Sequence, residues 1–435
     1  MTSSAPARLA WLDALRGYAA LVVVLFHLSP KVIGTGPHLA IYRHFDAGKY
    51  GVLLFFLVSG YVIPMSLERH GSLRRFWIGR LFRIYPAYLA AIALVAILAG
   101  AGWLAWPVAL RQETWASVLA HATMMNDLVG LRGAVRVFWT LSYEMVFYLI
   151  VSGLFVLRWH RRSAWWASGL AIVALAGGAA LPDDLLGATF ADRRATAAVL
   201  LLVTGLSVLA YLKDRLVPAA GVAGIALVLL PALNGHATKQ STVIASWQGV
   251  LLLAAMFAGT VVYRWQHRQI GGREAAFALT VVALGMIGAH WTHLGTSAAL
   301  RLWLATVGAV TVTFLFAYAM RNRTVPLVFT WLGRISYSLY LLHVIGLMLL
   351  SRVLPDLGTR GWEFRVAAGL AYVAASLVIA GIAYRMVEKP GQRLGRKIAA
   401  RLGPRPAPAS LLATQRAAPG TGRGENEREA SRLDA

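Results

Sequence analysis

At 435 residues the chain is 58% hydrophobic and only 14% charged, with a mean hydropathy of +0.62, which excludes an ordinary soluble domain and points to a polytopic membrane protein. It contains no cysteine, so disulfide, thiolate-nucleophile and thiolate-metal chemistries are excluded. The formal net charge of +24 does not signal nucleic acid, because the basic residues fall in short segments between apolar runs, where positive-inside topology and anionic lipid account for them.

A helix crosses the roughly 30 Å hydrocarbon core with about 20 residues. Inside that core all backbone groups must pair within the segment, so apolar runs of this length are helices and not strands. Twelve runs are predicted, near residues 9–28, 50–68, 85–107, 137–158, 164–182, 195–212, 216–233, 244–263, 274–292, 299–319, 331–351 and 366–387. The fold class is therefore all-α, a polytopic transmembrane helix bundle. "MTSSAPAR" before the first run has no distinct basic segment, and no small-residue cleavage site follows it, so the first helix is expected to stay in the protein.

Orientation follows from the arginine and lysine bias. With the N-terminus inside, the inner segments hold Arg69, Arg74, Arg75, Arg80 and Arg83, then Arg158, Arg161 and Arg162, Lys213 and Arg215, Arg264, Arg268 and Arg273, and finally Arg321 and Arg323. The late outer loops "NGHATKQST" and "THLGTS" share one lysine. An N-in, C-in topology is expected, with a transmembrane domain over 1–395 and a cytoplasmic basic, disordered tail over 396–435. Six positive and no negative residues lie between Lys389 and Arg405, a cluster suited to anionic headgroups. No repeat relates the two halves, and no soluble catalytic domain is expected at either end.

The first run, "RGYAALVVVLFHL", carries Arg16 and His27 eleven positions apart. At 100° per residue they lie about 20° apart in azimuth and about 16 Å apart along the axis, on one face. A central arginine is expensive in lipid, so this face should look into the bundle or a wet cavity. The plainer alternatives are a snorkelling arginine and a hydrogen-bonded core histidine. In "KYGVLLFFLVSGYVIP" Ser59 and Gly60 sit mid-membrane, where small residues allow close helix approach. "RRFWIGRLFRIYPAYL" enters the third helix from inside; Arg80 and Arg83, at i and i+3, share a face suited to a polyphosphate or, more plainly, to topogenic snorkelling.

"VFWTLSYEMVFYLI" places Ser142 and Glu144 inside the fourth helix, with Glu144 at a depth like that of His27. The antiparallel course of the two helices lets them meet, either as an imidazole base steadied by a carboxylate or as a structural pair. "GRISYSLYLLHVIG" puts His343 at mid-depth with Ser336, Tyr337 and Tyr340 below it, as channel lining or interhelix hydrogen bonding. No P-loop, nucleophile elbow, H-E-x-x-H or dinucleotide fingerprint is present, and isolated histidines on separate helices give no metal site.

Together "RGYAALVVVLFH", "LLFFLVSGYVI", "FWIGRLFRIYPAY", "FWTLSYEMVFYL", "ISYSLYLLHV" and the closing "VEKP" (387–390) resemble the acyltransferase-3 family of membrane O-acyltransferases, in order and spacing over about residues 9–392. The resemblance implies a ten-helix core within some ten to twelve membrane helices. It implies transfer of an acyl group, commonly acetyl, from cytoplasmic acyl-coenzyme A as co-substrate to a hydroxyl on a sugar-containing acceptor, either an envelope polysaccharide or a glycosylated natural product such as a macrolide. The setting would be a bacterial cell membrane, with no permanently bound cofactor.

By the same resemblance His27 matches the essential histidine, Arg16 the first-helix arginine, Arg80 and Arg83 the donor-binding R-x-x-R pair, and Glu144 the motif acid. Met145 stands where the family often has a second acid. Leu53 stands where it has an aspartate, for which Asp46 is a candidate replacement or, more plainly, a loop charge. Asp46, Ser59, Ser142, Tyr337 and His343 are candidate channel-lining residues. His27 could act as base toward the acceptor hydroxyl or be transiently acylated. The competing readings are a proton-coupled secondary transporter and an assembly scaffold or flippase.

Overall fold

The computed structural model describes residues 9–235, 243 and 245–402, and every regular element among them is helical. Helix α1 (Ala10–Val32) rises from one face of the bundle, termed proximal, to the opposite distal face. There α2 (Thr35–Tyr42) and the Asp46 cap reverse the chain into α3 (Ala47–His70), and α4 (Leu73–Gly100) climbs again. A re-entrant segment follows, built from α5 (Val108–Gln112), α6 (Thr114–Thr123) and two single 3-10 turns, leading into α7 (Trp139–Val156). Then come α8 (Ser163–Gly177), α9 (Phe190–Lys213), the short pair α10 (Val217–Ala226) and α11 (Leu229–Leu233), and α12 (Ser246–Gln266). The chain closes with α13 (Gly272–Leu294), α14 (Ser297–Ala319), α15 (Leu327–Val353), α16 (Trp362–Ala383), a π turn over Tyr384–Glu388, and α17 (Lys389–Arg401).

Among the described residues eleven helices are long and apolar enough to cross a membrane, within the ten to twelve expected and one fewer than the twelve apolar runs. The seventh expected span, 216–233, is the α10–α11 pair, interrupted at Leu227 and Val228. Its 17 residues still cover about 25 Å at helical rise. Asn234 at its far end accepts a hydrogen bond from the Leu186 N–H near the start of α9 (3.1 Å), so the broken pair retraces the length of α9. The described chain ends consequently share the proximal face: Ser338, low on α15, donates to Glu388 (2.9 Å), and Gly391 and Gly395 of α17 pack on Phe82 near the base of α4.

Two boundaries differ from expectation. Helix α4 begins at Leu73, not near 85, because the Ser72 hydroxyl caps it by accepting the Arg75 N–H; Arg74, Arg75, Arg80 and Arg83 are thus helical and not in a loop. The domain boundary expected at 395 falls inside α17, which runs to Arg401. Residues 403–435, with the rest of the expected tail, and most of the "NGHATKQST" loop lie outside the described residues.

Helices α7 and α12 form the centre, each with 94% of its apolar span buried, against 28% for α4, α9 and α14. Small residues make the closest crossings, as packing in lipid requires: a Cβ on Gly60 would fall 1.7 Å from the Met256 carbonyl oxygen, and one on Gly333 2.1 Å from that of Asp13. The last contact fixes α1 beside α15. The two run parallel, with Gly17 against Gly333 and His27 beside His343, both pairs 316 residues apart in sequence. At the proximal end Arg264 of α12 pairs with Glu68 of α3, which also accepts from Tyr263 (2.8 Å).

Candidate active site

The stripe on α1 that carries Arg16 and His27 faces two cavities, one above the other. The lower is narrow, about 70 Å³, with Arg16, Ser59, Arg80, Arg83, Glu144 and Tyr337 in its wall. Arg16 and Arg80 are only 9% and 6% exposed, which lipid would not tolerate without compensation. Glu144 supplies part of it: its carboxylate accepts hydrogen bonds from Ser59 (3.2 Å) and from Tyr148. The Arg80 guanidinium lies 5.3 Å from the Phe76 ring centre and 5.5 Å from that of Tyr148. Three guanidiniums and one carboxylate stand in the wall, and Asp13 approaches Arg16 from outside it (4.0 Å), so positive charge is in excess, a setting for a polyanion held by bidentate hydrogen bonds. Arg80 and Arg83 also line a wider proximal cavity of about 500 Å³, shared with Arg75 and with Arg396 of α17.

The upper cavity, about 660 Å³, opens at the distal end and contains His27. The His343 Nδ1 faces the Leu339 carbonyl (3.1 Å), and its Nε2 lies 3.1 Å from the His27 Nδ1, which is itself 3.0 Å from the Val23 carbonyl. Only a proton donor satisfies a carbonyl, so the network assigns the proton of each neutral ring to Nδ1. His343 Nε2 then accepts from His27, and the His27 Nε2 keeps a free lone pair. That is the tautomer a general base needs.

A thin partition separates the cavities. The Tyr340 hydroxyl bridges α15 to α7 through Thr140 (3.0 Å) and the Val137 carbonyl (3.3 Å), and its ring lies 5.4 Å from Phe55 and 6.0 Å from His343. Tyr340 thus lies between the wall of the lower cavity and the His27–His343 pair.

The structure thus gathers Arg16, Ser59, Arg80, Arg83, Glu144 and Tyr337 into one site and His27 with His343 into another. It does not pair His27 with Glu144. The two side chains line different cavities, because α1 packs against α3 and α15 while Glu144 turns toward Ser59 and Tyr148. His343 stands behind His27 as its hydrogen-bond partner, not as channel lining. Asp46 lines no described cavity either; it caps α3, accepting the Lys49 N–H (2.8 Å), and burial raises its carboxyl pKa against the lowering effect of that bond. Ser142 is likewise structural: it donates to the Met124 carbonyl (2.8 Å) and accepts the Asp127 N–H (3.3 Å), tying the re-entrant segment to α7. Tyr148 escaped the sequence reading, although its i+4 spacing from Glu144 is a readable signal. Arg132 and Arg136 carried none, and Arg396 was legible only as part of the basic run from Lys389 to Arg405.

Comparison with known proteins follows the same lines. The family profile described as an acyltransferase domain matches residues 9–184 and 196–385. Over 378 residues the chain is 26% identical to the exopolysaccharide production protein ExoZ of Rhizobium meliloti (strain 1021), covering 86% of this chain and 96% of that protein. It is 27% identical over 186 residues to the acyltransferase MdmB of Streptomyces mycarofaciens, 39% of this chain and 45% of that one. To the peptidoglycan O-acetyltransferase OatA of Listeria monocytogenes it is 29% identical over 153 residues, 32% of this chain and 23% of that one. The chain spans less than half the length of MdmB and of OatA. No solved structure matches it.

Proposed function

The chain belongs to the acyltransferase-3 family, and from that premise we propose that it moves an acyl group, acetyl in the simplest case, from acyl-coenzyme A to a sugar hydroxyl across a bacterial cell membrane. The observation that carries this reading is the division of labour along α1: a cationic cavity around Arg16 at one depth and a base-competent His27 about three turns above it.

The proximal face is read as cytoplasmic. Coenzyme A carries phosphates that cannot enter hydrocarbon, and the proximal cavity with Arg75, Arg80, Arg83 and Arg396 offers them guanidiniums at the surface. The slender pantetheine arm then extends past Arg16 toward Tyr340, bringing the thioester under His27. Glu144 does not act on the imidazole in this scheme. Its negative charge offsets part of that of the arginines lining the same cavity.

His27 Nε2 takes the proton of the acceptor hydroxyl as its oxygen attacks the thioester carbonyl. The new C–O bond forms, the C–S bond breaks, and the imidazolium returns its proton to the departing thiolate. His343 keeps the His27 Nδ1–H engaged throughout, so the lone pair stays on the side of the distal cavity. ExoZ, whose name attaches it to exopolysaccharide production, aligns along most of this chain, which favours a polysaccharide-type acceptor over a small natural product.

The test uses proteoliposomes of wild-type protein and His27→Ala, given labelled acetyl-coenzyme A and a panel of glycans. Transfer should fall by roughly 10²- to 10⁴-fold in the variant, the usual contribution of a positioned base. Transfer surviving the substitution would remove His27 from the chemistry, and failure of the wild type to consume thioester would favour a transporter. Label trapped on His27 without acceptor would replace the single displacement by an acyl-histidine route.

A further inference from the structure

The distal cavity holds a charge pattern that the acyl-transfer chemistry does not require. Its wall contains Arg132 and Arg136 beside His27 and His38, and no aspartate or glutamate. Both arginines are exposed, and none of the three ion pairs among the described residues involves either of them. An arginine elsewhere in this distal region behaves differently. Arg193 is gripped by both carboxylate oxygens of Glu113 (2.9 Å at the closest) and by the Gly187 carbonyl (2.7 Å). Arg193 faces a carboxylate; Arg132 and Arg136 face a cavity.

The loop bearing the two arginines is fixed from beneath. His121 accepts the Ala134 N–H at Nε2 (2.9 Å) while its Nδ1 faces the Ser117 carbonyl (2.7 Å). Arg132 and Arg136 stand four residues apart in that loop, in the wall of one cavity. Two like charges held together without a counter-ion repel, and the repulsion is relieved when an anion bridges them. Around them Phe26, Tyr42 and Trp106 present ring surface, the complement of a sugar's C–H faces.

We propose that the acceptor is an anionic sugar, one whose carboxylate or phosphate is held by Arg132 and Arg136 while a hydroxyl of the same molecule reaches His27. This rests on the reading of the His27 cavity as the acceptor site and adds the acceptor's charge class. A uronic acid and a sugar phosphate, free or lipid-linked, share the recognising chemistry.

Matched probe pairs separate them: a hexuronate oligosaccharide against its carboxyl-reduced form, and a phosphorylated oligosaccharide against its dephosphorylated form. Binding of each is measured to the full chain in nanodiscs, and acetyl transfer to each is followed in parallel. The wild type should bind the charged member of at least one pair about tenfold to a hundredfold more tightly, as charge-assisted hydrogen bonds allow, and the preferred pair identifies the anion. The double variant Arg132→Gln, Arg136→Gln should erase that preference while leaving acyl-coenzyme A affinity unchanged, which also shows that it folds. Restoring charge with Arg132→Lys, Arg136→Lys should return part of it.

Equal binding of charged and neutral sugars, with transfer to both, overturns the inference and leaves the proposed reaction standing. Weakened acyl-coenzyme A binding in the glutamine variant overturns both, because the donor would then occupy this cavity. Charged sugars bound selectively without any thioester use would overturn the reaction alone.

Discussion

His27 takes its orientation from a second imidazole where the sequence suggested a carboxylate. That substitution has a measurable consequence, because an imidazole acceptor is neutral and directs the His27 proton without adding charge. In His343→Leu the His27 ring loses its partner and kcat should fall by a large part of the roughly 10²- to 10⁴-fold that a positioned base supplies, with KM for acyl-coenzyme A unchanged. His343→Gln retains an acceptor and should recover part of the loss; equal activity in both variants would show that His343 only fills space. A second residue effect concerns acid. Burial lowers the pKa of His121 from its ordinary 6.5, so the folded chain takes up this proton less readily than the unfolded chain. Its contribution is complete above that value and declines as pH falls through it. Melting curves from about pH 8 to pH 5 should show a smaller acid loss in His121→Gln than in the wild type. The sequence displayed the Arg16 and His27 stripe because helical periodicity alone fixes azimuth along one element. It misassigned the partner of His27 because equal depth in two helices says nothing about which faces they turn to each other.

Between elements, the position of His27 over the site is set by a contact about ten residues below it. Gly17 and Gly333 bring α1 and α15 into backbone contact, and the parallel run carries that register up to His27 and His343. Gly333→Ala would place a methyl group within 2.1 Å of the Asp13 carbonyl oxygen, overpacking worth about 1–3 kcal/mol. The helices should part and transfer should fall sharply, although no cavity residue has changed. Gly308→Ala on α14, whose added Cβ meets nothing within 4 Å, should leave both the melting temperature and activity as they were; equal loss in the two would sink the register argument. Most spans were legible because apolar runs of helical length have one fate in lipid. The exceptions are instructive. The run at 216–233 is apolar throughout, and its interruption at Leu227 and Val228 is invisible to hydropathy, while the start of α4 was concealed because arginine counts against a span yet is a good helix former.

For the whole molecule, the arrangement predicts strict sidedness. In vesicles of one orientation, membrane-impermeant acetyl-coenzyme A should support transfer only from the face that carries α17 and the start of α1, with acceptor supplied opposite; donor use from either side would contradict the division between proximal and distal cavities. Same-side chain ends were foreseeable from an even number of passes, and the broken α10–α11 pair preserves that parity. The cavities themselves were not foreseeable, since each is assembled from helices far apart in sequence, as Arg16, Arg80, Glu144 and Tyr337 are. One feature reaches beyond the reaction to the energetics of the cell. A pathway lined by ionisable groups from one face to the other would be a leak for protons; the Tyr340 ring, tied to Thr140 through its hydroxyl (3.0 Å), stands between the lower cavity and His343. Removing that ring, as in Tyr340→Ala, should let pH-jumped vesicles dissipate their gradient faster than wild-type ones. An organism carrying such a variant would then lose membrane potential through a protein whose business is chemistry.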